Sequence, residues 1–466
     1  MLKKPKIKIL ILLISTIIIS GYLLISIIIE NDKFKKKIKK YIFPYKLISQ
    51  QQQTISKLQQ KIYLVKRLGL EFRDHDLIKK ELNFKESGRD IEIIKIKDTK
   101  LSNNFTLKRY ELTSGFYSGI WNALPGSGYI DFHEDNILIV SSKGVLAFKS
   151  SIKDVKENFK QIKNNINDFI GMKQFVETRK KLRKFSIKDM LIVNDKIFIS
   201  FVDEIKKDCW NTSIIYADLD YKNIKFEKLF TPKNCIHSID NIDKEFTAGQ
   251  SGGRIVSFDD KNILFSIGDY RNRHLAQDIK SVNGKIIKIN IDNNDYEIIS
   301  MGHRNPQGLY FDKENNFILE TEHGPQGGDE INLIDVYQIS DEKIQNFGWA
   351  ISSAGEHYGG KVEKNKQKYQ KYPLYKSHTE HGFIEPLKSF VPSIGISNII
   401  KIFQNKYVVS SMKDKSLYFF ELNDQKQIIN LNRVKVGERI RDLRLNNNQL
   451  YLFMENTASI GVINLN

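Results

Sequence analysis

Two polar segments in the second half of the chain combine residue types that could bind an anionic ligand together with a metal ion. The first contains Arg304 and Asn305 between glycines, and an arginine suits an anionic or carbonyl-bearing ligand. The second contains the turn Gly324-Pro325, followed by Asp329. Backbone carbonyls of a fixed turn beside a carboxylate are the oxygen donors that Ca²⁺ prefers. Short strands separate the segments, so both could open on one site.

Further motifs accompany these two segments in a fixed order along the chain. They are Ser251-Gly252-Gly253-Arg254, Asn346-Phe347-Gly348-Trp349 with Gly355-Glu356-His357-Tyr358, Val391-Pro392-Ser393, Met412-Lys413-Asp414 and Arg439-Ile440-Arg441-Asp442. Together they resemble the quinoprotein glucose/sorbosone dehydrogenases, the family that includes the soluble aldose sugar dehydrogenases. Members of this family are six-bladed β-propellers that use pyrroloquinoline quinone (PQQ) and Ca²⁺. The resemblance is strong over about 246–466, weak over about 105–245 and absent before about 100.

The resemblance implies cofactor-binding roles for five basic or amide side chains. Arg304 and Asn305 match the family pair that lies near the quinone carbonyls. Lys413, Arg439 and Arg441 match the basic residues that pair with the carboxylates of PQQ, which is a flat tricarboxylate. Charge-assisted pairing is the expected way to hold such a ligand. Strand alternation also points Arg439 and Arg441 to one face. Arg444 falls outside this alternation and is predicted to be a surface charge.

The resemblance also implies a calcium site and a mechanism. Gly324, Pro325 and Asp329 match the residues that hold Ca²⁺ in the family. The family reaction uses a general base that takes the proton from the anomeric hydroxyl of the sugar. Hydride then passes from that carbon to the quinone.

The position of that base is where this chain departs from the family. The family base is a histidine just upstream of the glycine–arginine pair, and here the position is Gly249 or Gln250, depending on where a one-residue gap is placed. Neither accepts a proton at neutral pH, although Gln250 can hydrogen-bond a sugar hydroxyl. His274 is predicted as the substitute base. His303 and His323 lie inside the site motifs, at positions that the family does not use as the base.

Two functions follow from these residues. The first hypothesis is a membrane-anchored aldose sugar dehydrogenase that depends on PQQ and Ca²⁺ and oxidises a sugar at its anomeric carbon. The alternative is a catalytically impaired propeller that binds a saccharide or a protein partner. Retention of the cofactor-binding set favours the first hypothesis, and the missing histidine favours the alternative. The sequence does not identify the electron acceptor.

The pattern from residue 101 to 466 predicts a single all-β propeller of six blades. Short apolar runs alternate with polar turns such as Asp259-Asp260-Lys261-Asn262, and this strand–turn–strand unit recurs along the chain. The last run, residues 460–463, is predicted to pair with an early strand and close the ring. Residues 151–185 differ, because Phe159, Ile162, Ile166 and Phe169 follow a helical spacing.

The N-terminal part predicts a membrane anchor. Residues 9–29 contain no charge and are long enough to span a bilayer as one helix, after a cytoplasmic basic tail over 1–8. Residues 30–100 read as a basic linker and a helical stalk. A plain count of flanking lysines would place the large domain in the cytoplasm. The family resemblance instead implies a single-pass protein of the inner (cytoplasmic) membrane, with its large domain in the periplasm or outside the cell.

Within the linker, residues 48–65 show a short heptad-like pattern. It is compatible either with a solvated amphipathic helix or with weak oligomerisation.

The formal charge of +18 does not predict nucleic-acid binding. Residues 1–40 carry ten lysines against Glu30 and Asp32, which accounts for +8 beside the apolar segment. The remaining charge is spread thinly, without a basic stripe that alternates with aromatic residues. The two cysteines, Cys209 and Cys235, leave open one disulfide closing a hairpin over 214–226 or two half-buried thiols.

Overall fold

The computed structural model describes residues 13–23, 54–55, 58, 79–113, 127–170, 186–338 and 344–465. The chain divides into two compact units, residues 1–71 and 72–466. In the first unit, residues 13–23, 54–55 and 58 are helical. None of the helices in the described ranges is both long enough and apolar enough to cross a membrane. The predicted anchor over 9–29 and the predicted helix over 48–65 extend beyond the described residues and stay predictions.

The second unit is built mainly of antiparallel strands. Its first thirteen strands are β1 (Ile93–Lys100), β2 (Thr106–Leu112), β3 (Gly128–His133), β4 (Asn136–Ser141), β5 (Leu146–Lys149), β6 (Lys160–Gln161), β7 (Lys163–Asn164), β8 (Ile187–Val193), β9 (Lys196–Lys206), β10 (Cys209–Asp218), β11 (Asn223–Ile224), β12 (Glu227–Phe230) and β13 (Ile236–His237). They are followed by β14 (Gly252–Ser257), β15 (Asn262–Ile267), β16 (Lys285–Asn290), β17 (Tyr296–Met301), β18 (Pro306–Asp312), β19 (Phe317–Glu322), β20 (Asp329–Asp335), β21 (Gln345–Asn346), β22 (Lys388–Phe390), β23 (Ile396–Phe403), β24 (Lys406–Ser411), β25 (Ser416–Leu422), β26 (Ile428–Lys435), β27 (Ile440–Asn446), β28 (Gln449–Met454) and β29 (Ser459–Asn464).

Helical segments of this unit are short. Residues 79–87 are α-helical, as is Lys366–Lys371. Single 3₁₀ turns occupy Ile166–Asp168, Ala248–Gln250, Arg273–Ala276, Val336–Gln338, Glu363–Asn365 and Thr379–His381. The helix predicted from the spacing of Phe159, Ile162 and Ile166 is therefore wrong within the described residues. Phe159 bridges Ile91, and the buried side chains belong to short strands and a turn.

Six sheets form the blades of a closed propeller, which confirms the predicted fold class. In chain order of their innermost strands, the sheets run β3-β4-β5-β6, β8-β9-β10-β12, β14-β15-β16-β17-β21, β18-β19-β20-β22, β23-β24-β25-β26 and β27-β28-β29-β2-β1. The innermost strands contact one another cyclically, from β3 to β8, β14, β18, β23, β27 and back to β3. Buried apolar clusters fill the space between adjacent sheets.

The last blade closes the ring with both ends of the propeller. Strand β2 pairs with β29, with Leu107 opposite Ile463, as predicted for the last apolar run. Strand β1 extends the same sheet by pairing with β2. The predicted domain boundary at residue 101 thus falls between two paired strands. The ring is thus closed by pairing the two ends of the propeller within one sheet, and its radial repetition leaves only short, protected strand edges.

Asparagine-rich loops explain why the strands reverse where they do. The β8–β9 loop is Asn194-Asp195 and the β27–β28 loop is Asn447-Asn448, and all four residues have positive φ. Two-residue loops with both residues in the left-handed region match the twist of antiparallel strands, and asparagine and aspartate tolerate that region better than other side chains.

Cys209 and Cys235 form a disulfide with their Cα atoms 5.3 Å apart, which resolves the open alternative. The bond ties the start of β10 to the residue before β13, and Cys209 pairs with His237 across these strands. The hairpin partner of β10 is β12 rather than residues 224–226, because Ile224 pairs with β7 instead.

Candidate active site

A cavity of about 450 Å³ lies at the end of the propeller where the innermost strands begin. This volume falls in the range of small-molecule sites. Asn305 and Gly395 immediately precede β18 and β23, and both line it. The described lining residues are Thr247, Gly249, Gln250, Arg271, Arg304, Asn305, His323, Gly324, Pro325, Gln326, Gly327, Asp329, Tyr358, Ser393, Gly395 and Lys413.

Arg304 is the most firmly held cation of the cavity. Its side chain is buried, and Nη1 donates to the carbonyl oxygens of His323 (2.7 Å) and Gly324 (2.6 Å). The guanidinium carbon lies 5.3 Å from the centroid of the Trp349 ring. Arginine stacks favourably on such a face. No carboxylate among the described residues forms an ion pair with Arg304, so its charge remains available to a ligand.

The backbone before β18 is fixed from behind by a carboxylate. Oε2 of Glu322 accepts hydrogen bonds from the backbone N–H groups of Arg304 (2.5 Å) and Asn305 (3.3 Å). Glu322 is buried at the end of β19. The two predicted residues are thus positioned by a residue that the sequence patterns did not single out.

Asn305 sets the proton position on the one histidine among the described lining residues. Its Oδ1 accepts from the backbone N–H of Gly252 (3.2 Å), which fixes the orientation of the amide. Nδ2 therefore donates to Nδ1 of His323 (3.2 Å) and to the Gly249 carbonyl (3.3 Å). Burial, opposed by Asp329, lowers the pKa of His323, so the ring is neutral. With Nδ1 accepting, the proton is on Nε2, and the ring is a hydrogen-bond donor there rather than a base.

Gln250 is one of the two residues predicted to match the family base, and like Gly249 it lines the cavity. With its amide oxygen facing the guanidinium groups, it accepts from Arg304 Nη2 (2.5 Å) and Arg271 Nε (3.3 Å), while its nitrogen donates to Asp269 Oδ1 (3.1 Å). Asp269 is fully buried and also accepts from Trp349 Nε1 (2.7 Å). Burial raises the pKa of Asp269, with Arg304 acting in the opposite direction. Gln250 thus joins two cations and a carboxylate without offering a proton acceptor of its own.

The structure does not bring His274 to the cavity. His274 lies in the 3₁₀ turn Arg273–Ala276, and the charges that act on its ring are those of Asp243, Lys371 and Asp278, none of which lines the cavity.

Arg271 lines the cavity instead of His274, although no sequence motif predicted a role for it. Tyr270 and Arg271 both have positive φ, so the chain reverses between them and simple alternation fails. The Arg271 guanidinium lies 5.2 Å from the centroid of the Tyr358 ring, and that of Arg304 lies 5.9 Å from it. The exposed Tyr358 ring therefore contacts both cations at the mouth of the cavity.

The three cations predicted to bind carboxylates separate into two groups. Lys413 is exposed, lines the cavity and forms no ion pair with the described residues. Arg439 and Arg441 instead both reach Glu455, at 2.9 Å and 2.6 Å. Two positions on one face would be expected to share a partner in this way. Neither arginine is among the described lining residues, so the pair lies beside the cavity with one carboxylate already bound.

The predicted calcium residues all line the cavity, but they are not equally available as ligands. Gly324 and Pro325 present a turn that only glycine allows, because a Cβ at position 324 would lie 1.9 Å from the Gly328 carbonyl oxygen. The carboxylate of Asp329 accepts from the backbone N–H groups of Gly324 (3.2 Å), Gly395 (2.6 Å) and Ile396 (3.1 Å). Asp329 therefore holds the turn and contributes negative charge, while the carbonyl oxygen of Gly324 already accepts from Arg304 Nη1.

Arg444 is not a surface charge, and that prediction is wrong. Its guanidinium pairs with Asp131 (3.4 Å), Asp189 (3.5 Å) and Asp442 (3.1 Å). Arg254 joins the same buried network, with Nη1 2.7 Å from both Asp189 and Asp442. These partners come from different blades, so no local pattern could reveal them. The network ties the innermost strands together around the axis.

Comparisons with known proteins agree with this geometry. The sequence profile of the family described as Glucose / Sorbosone dehydrogenase matches residues 185–462. Aldose sugar dehydrogenase YliI of Escherichia coli K12 is 30% identical over 221 residues, covering 42% of this chain and 55% of that protein. An uncharacterized protein of Synechocystis is 30% identical over 223 residues, covering 41% and 50%. The chain thus spans about half the length of the curated relatives that it matches.

Solved structures show the same fold. The apo form of the soluble aldose sugar dehydrogenase of Escherichia coli superimposes with a TM-score of 0.56 at 21% identity, covering 72% of this chain and 95% of that one. The PQQ-bound aldose sugar dehydrogenase of Streptomyces coelicolor gives 0.52 at 15% identity, covering 77% and 98%. The family profile matches more than half of this chain, so the chain belongs to the glucose/sorbosone dehydrogenase family.

Proposed function

We propose that this protein is a PQQ- and Ca²⁺-dependent aldose sugar dehydrogenase that oxidises a sugar at its anomeric carbon. The observation that carries the proposal is the charge of the cavity. Arg271, Arg304 and Lys413 line it, whereas the carboxylate of Asp329 is already bound by three backbone donors. A small tricarboxylate would neutralise these cations with charge-assisted hydrogen bonds.

The chain's own residues divide the work of binding and polarisation. Lys413 and Arg271 would bind carboxylates of the cofactor, and the carbonyls of Gly324 and Pro325 would hold Ca²⁺. PQQ, when bound, supplies the hydride acceptor. Arg304 is a donor fixed in place before any ligand arrives, which is the condition for electrostatic stabilisation of developing negative charge.

Proton removal is the weak step of this site. Among the described lining residues, Gln250 cannot accept a proton, His323 is a donor, and Asp329 is bound to backbone groups. We infer that the proton of the sugar hydroxyl leaves to water at the cavity mouth. Loss of a general base typically lowers the rate by about 10²–10⁴-fold, so slow turnover is expected.

A second function is favoured by the same residue. Since Gln250 replaces a base and joins Arg304 to Asp269, the cavity could serve as a binding site for a saccharide or a protein partner without turnover. In that case the calcium turn would serve only to hold the loops of the cavity.

The proposal includes a membrane anchor over residues 9–29 and a propeller outside the cytoplasm. The uncharged length of this segment supports the anchor. The disulfide between Cys209 and Cys235 supports an oxidising compartment.

The test uses the full-length protein purified in detergent. PQQ and Ca²⁺ are added, the quinone absorbance is recorded, and a panel of aldoses is supplied with an electron-accepting dye. Saturable binding with slow dye reduction is the expected result. Binding without dye reduction would favour the non-enzymatic propeller. Absence of quinone binding would overturn the dehydrogenase proposal.

A further inference from the structure

Directly behind Arg304 and Asn305 lies a second cluster of polar side chains that the cavity does not use. Glu320 and Glu322 are alternate residues of β19, so both point to one face of the blade. Asn332 lies on the neighbouring strand β20, opposite Glu320. Its Nδ2 donates to Glu320 Oε2 (2.9 Å) and Glu322 Oε1 (3.3 Å). His303 completes the cluster. All four side chains are buried.

His303 points an unpartnered nitrogen at the two carboxylates. Its Nε2 is hydrogen-bonded to Ser300 Oγ at 2.8 Å. Nδ1 is buried and has no hydrogen-bond partner among the described residues. It lies 3.5 Å from Glu322 Oε1 and 3.8 Å from Glu320 Oε2. Oε1 of Glu320 and Oδ1 of Asn332 are likewise buried without partners. Unsatisfied polar atoms in one buried cluster require an explanation, since each costs free energy.

The cluster also lacks a compensating positive charge. Glu330 is buried close by, and no lysine or arginine among the described residues forms an ion pair with Glu320, Glu322 or Glu330. Glu320 and Glu322 both approach Nδ1 of His303, and holding two buried carboxylates this close together is unfavourable. A cation held between the carboxylates would remove this penalty.

We propose that His303, Glu320 and Glu322 bind a divalent transition-metal cation of the Zn²⁺ or Mn²⁺ type, at a site separate from the cavity. One ligand atom of each residue lies within 4.8 Å of the others. A cation about 2.0–2.2 Å from its nitrogen and oxygen ligands separates them by roughly 3–4.4 Å, and the two distances from His303 Nδ1 fall in that range. An imidazole ligand selects against Ca²⁺ and Mg²⁺, which take oxygen. Ser300 supplies the partner that a metal-bound histidine uses on its other nitrogen.

This cation would help to position Arg304 and Asn305 at the wall of the cavity. Glu322 uses Oε1 toward the cluster and Oε2 toward the backbone N–H groups of Arg304 and Asn305. Metal binding at one oxygen would therefore restrict the carboxylate that positions both residues.

Metal content of the untagged, full-length protein tests the proposal without reference to enzymatic activity. The protein is treated with EDTA, incubated with Zn²⁺ or Mn²⁺ in the presence of Ca²⁺, dialysed and measured by mass spectrometry. About one equivalent of transition metal is expected, together with a higher thermal midpoint, because metal binding is coupled to folding stability. Glu320→Gln should lose the equivalent, whereas the control Glu421→Gln, which removes a half-buried carboxylate on another blade, should retain it.

A second variant keeps the test decisive if Glu320→Gln fails to fold. Ser300→Ala removes only the partner of Nε2 and should weaken affinity for the metal by about 10–100-fold. Protein without retained Zn²⁺ or Mn²⁺, or equal retention by these variants and the unaltered chain, would overturn the proposal and leave a cluster that shares protons. Quinone binding is measured separately, so its failure and the failure of the metal site are distinguishable.

Discussion

The arginines around the propeller axis and the cations of the cavity carry the same charge, but they differ in how many carboxylates surround them. Arg254 and Arg444 are surrounded by buried aspartates from several blades. Arg304 and Lys413, in the cavity, have no carboxylate partner among the described residues, and the nearest carboxylate of Arg271 is Glu245 at 4.0 Å. The first group stabilises the ring. In the second group, Arg304 contacts carbonyl oxygens, and both Arg304 and Arg271 contact aromatic rings and the amide of Gln250, which fix their positions without neutralising their charge.

If the proposed function holds, this difference distinguishes cations that stabilise the ring from cations that bind the ligand. Arg439 and Arg441 match a cofactor-binding motif, yet they share Glu455. Arg271 matches none, yet it lines the cavity. A cation that lines a cavity and has no carboxylate partner is a candidate for binding an anionic ligand.

The largest effect should come from adding the proton acceptor that the cavity lacks. Gln250→His places a base beside Arg304, and dye-linked aldose oxidation in the presence of PQQ and Ca²⁺ should rise by about 10²–10⁴-fold. Gln250→Asn is the matched control, because it shortens the side chain without adding a base. Equal rates for the two variants would mean that proton removal does not limit turnover.

Removing an arginine from the axial network should lower the free energy of unfolding more than removing a cation from the cavity. Arg254→Met leaves Asp189 and Asp442 buried with less compensation and should lower the free energy of unfolding by about 3–5 kcal/mol. Lys413→Met should change it by less than about 0.5 kcal/mol, because the side chain is exposed. Urea unfolding measures both. Similar losses in the two variants would contradict the division into structural and ligand-binding cations.

Substituting Lys413, which should hardly change the stability of the protein, should instead weaken its affinity for PQQ. A hydrogen bond to a charged group contributes about 1.5–3 kcal/mol, so Lys413→Met should weaken PQQ binding by about 10–100-fold. Titration of the quinone absorbance gives the dissociation constant. Lys388→Met, at an exposed position of β22, is the control and should leave it unchanged. Unaltered affinity in Lys413→Met would remove this residue from the cofactor site.

The smallest effect concerns Arg273, which follows Arg271 by two residues and pairs with Glu245 at 2.7 Å. Burial acts to raise the pKa of Glu245, but hydrogen bonds from Lys368 and Arg273 lower it to about 2. The unfolded value is about 4.3, so the ionised carboxylate stabilises the fold above that pH, and this contribution is lost as the pH falls toward 2.

Glu245→Gln should therefore flatten the pH dependence of the thermal midpoint between about pH 4.3 and 2. The difference should be below about 1 kcal/mol, since solvent screens the pair. Glu297→Gln on the exposed part of β17 serves as the comparison, and an equal change in that variant would contradict the assignment to Glu245.

Local signals explain what the sequence could predict. Hairpins follow from alternating apolar residues and asparagine-rich turns, and Arg304 and Lys413 were found because their motifs are contiguous. The exchange of His274 for Arg271 was missed because two consecutive left-handed residues reverse the chain. The pairing of Arg441 with Glu455 was missed because Glu455 follows the neighbouring strand. The pairing of Arg444 with Asp131 and Asp189 was missed because these aspartates lie on other blades, which meet only when the ring is closed.

Ring closure also dictates the order in which the propeller can be completed. Strands β1 and β2 leave the ribosome first, but β2 must pair with β29, which is synthesised last. Strand β2 therefore remains without its partner β29 until that strand has been synthesised. Contacts between residues so distant in sequence slow folding and prolong the exposure of unpaired strand edges. Late pairing of β2 with β29 would therefore keep the propeller open until the whole of its chain is available.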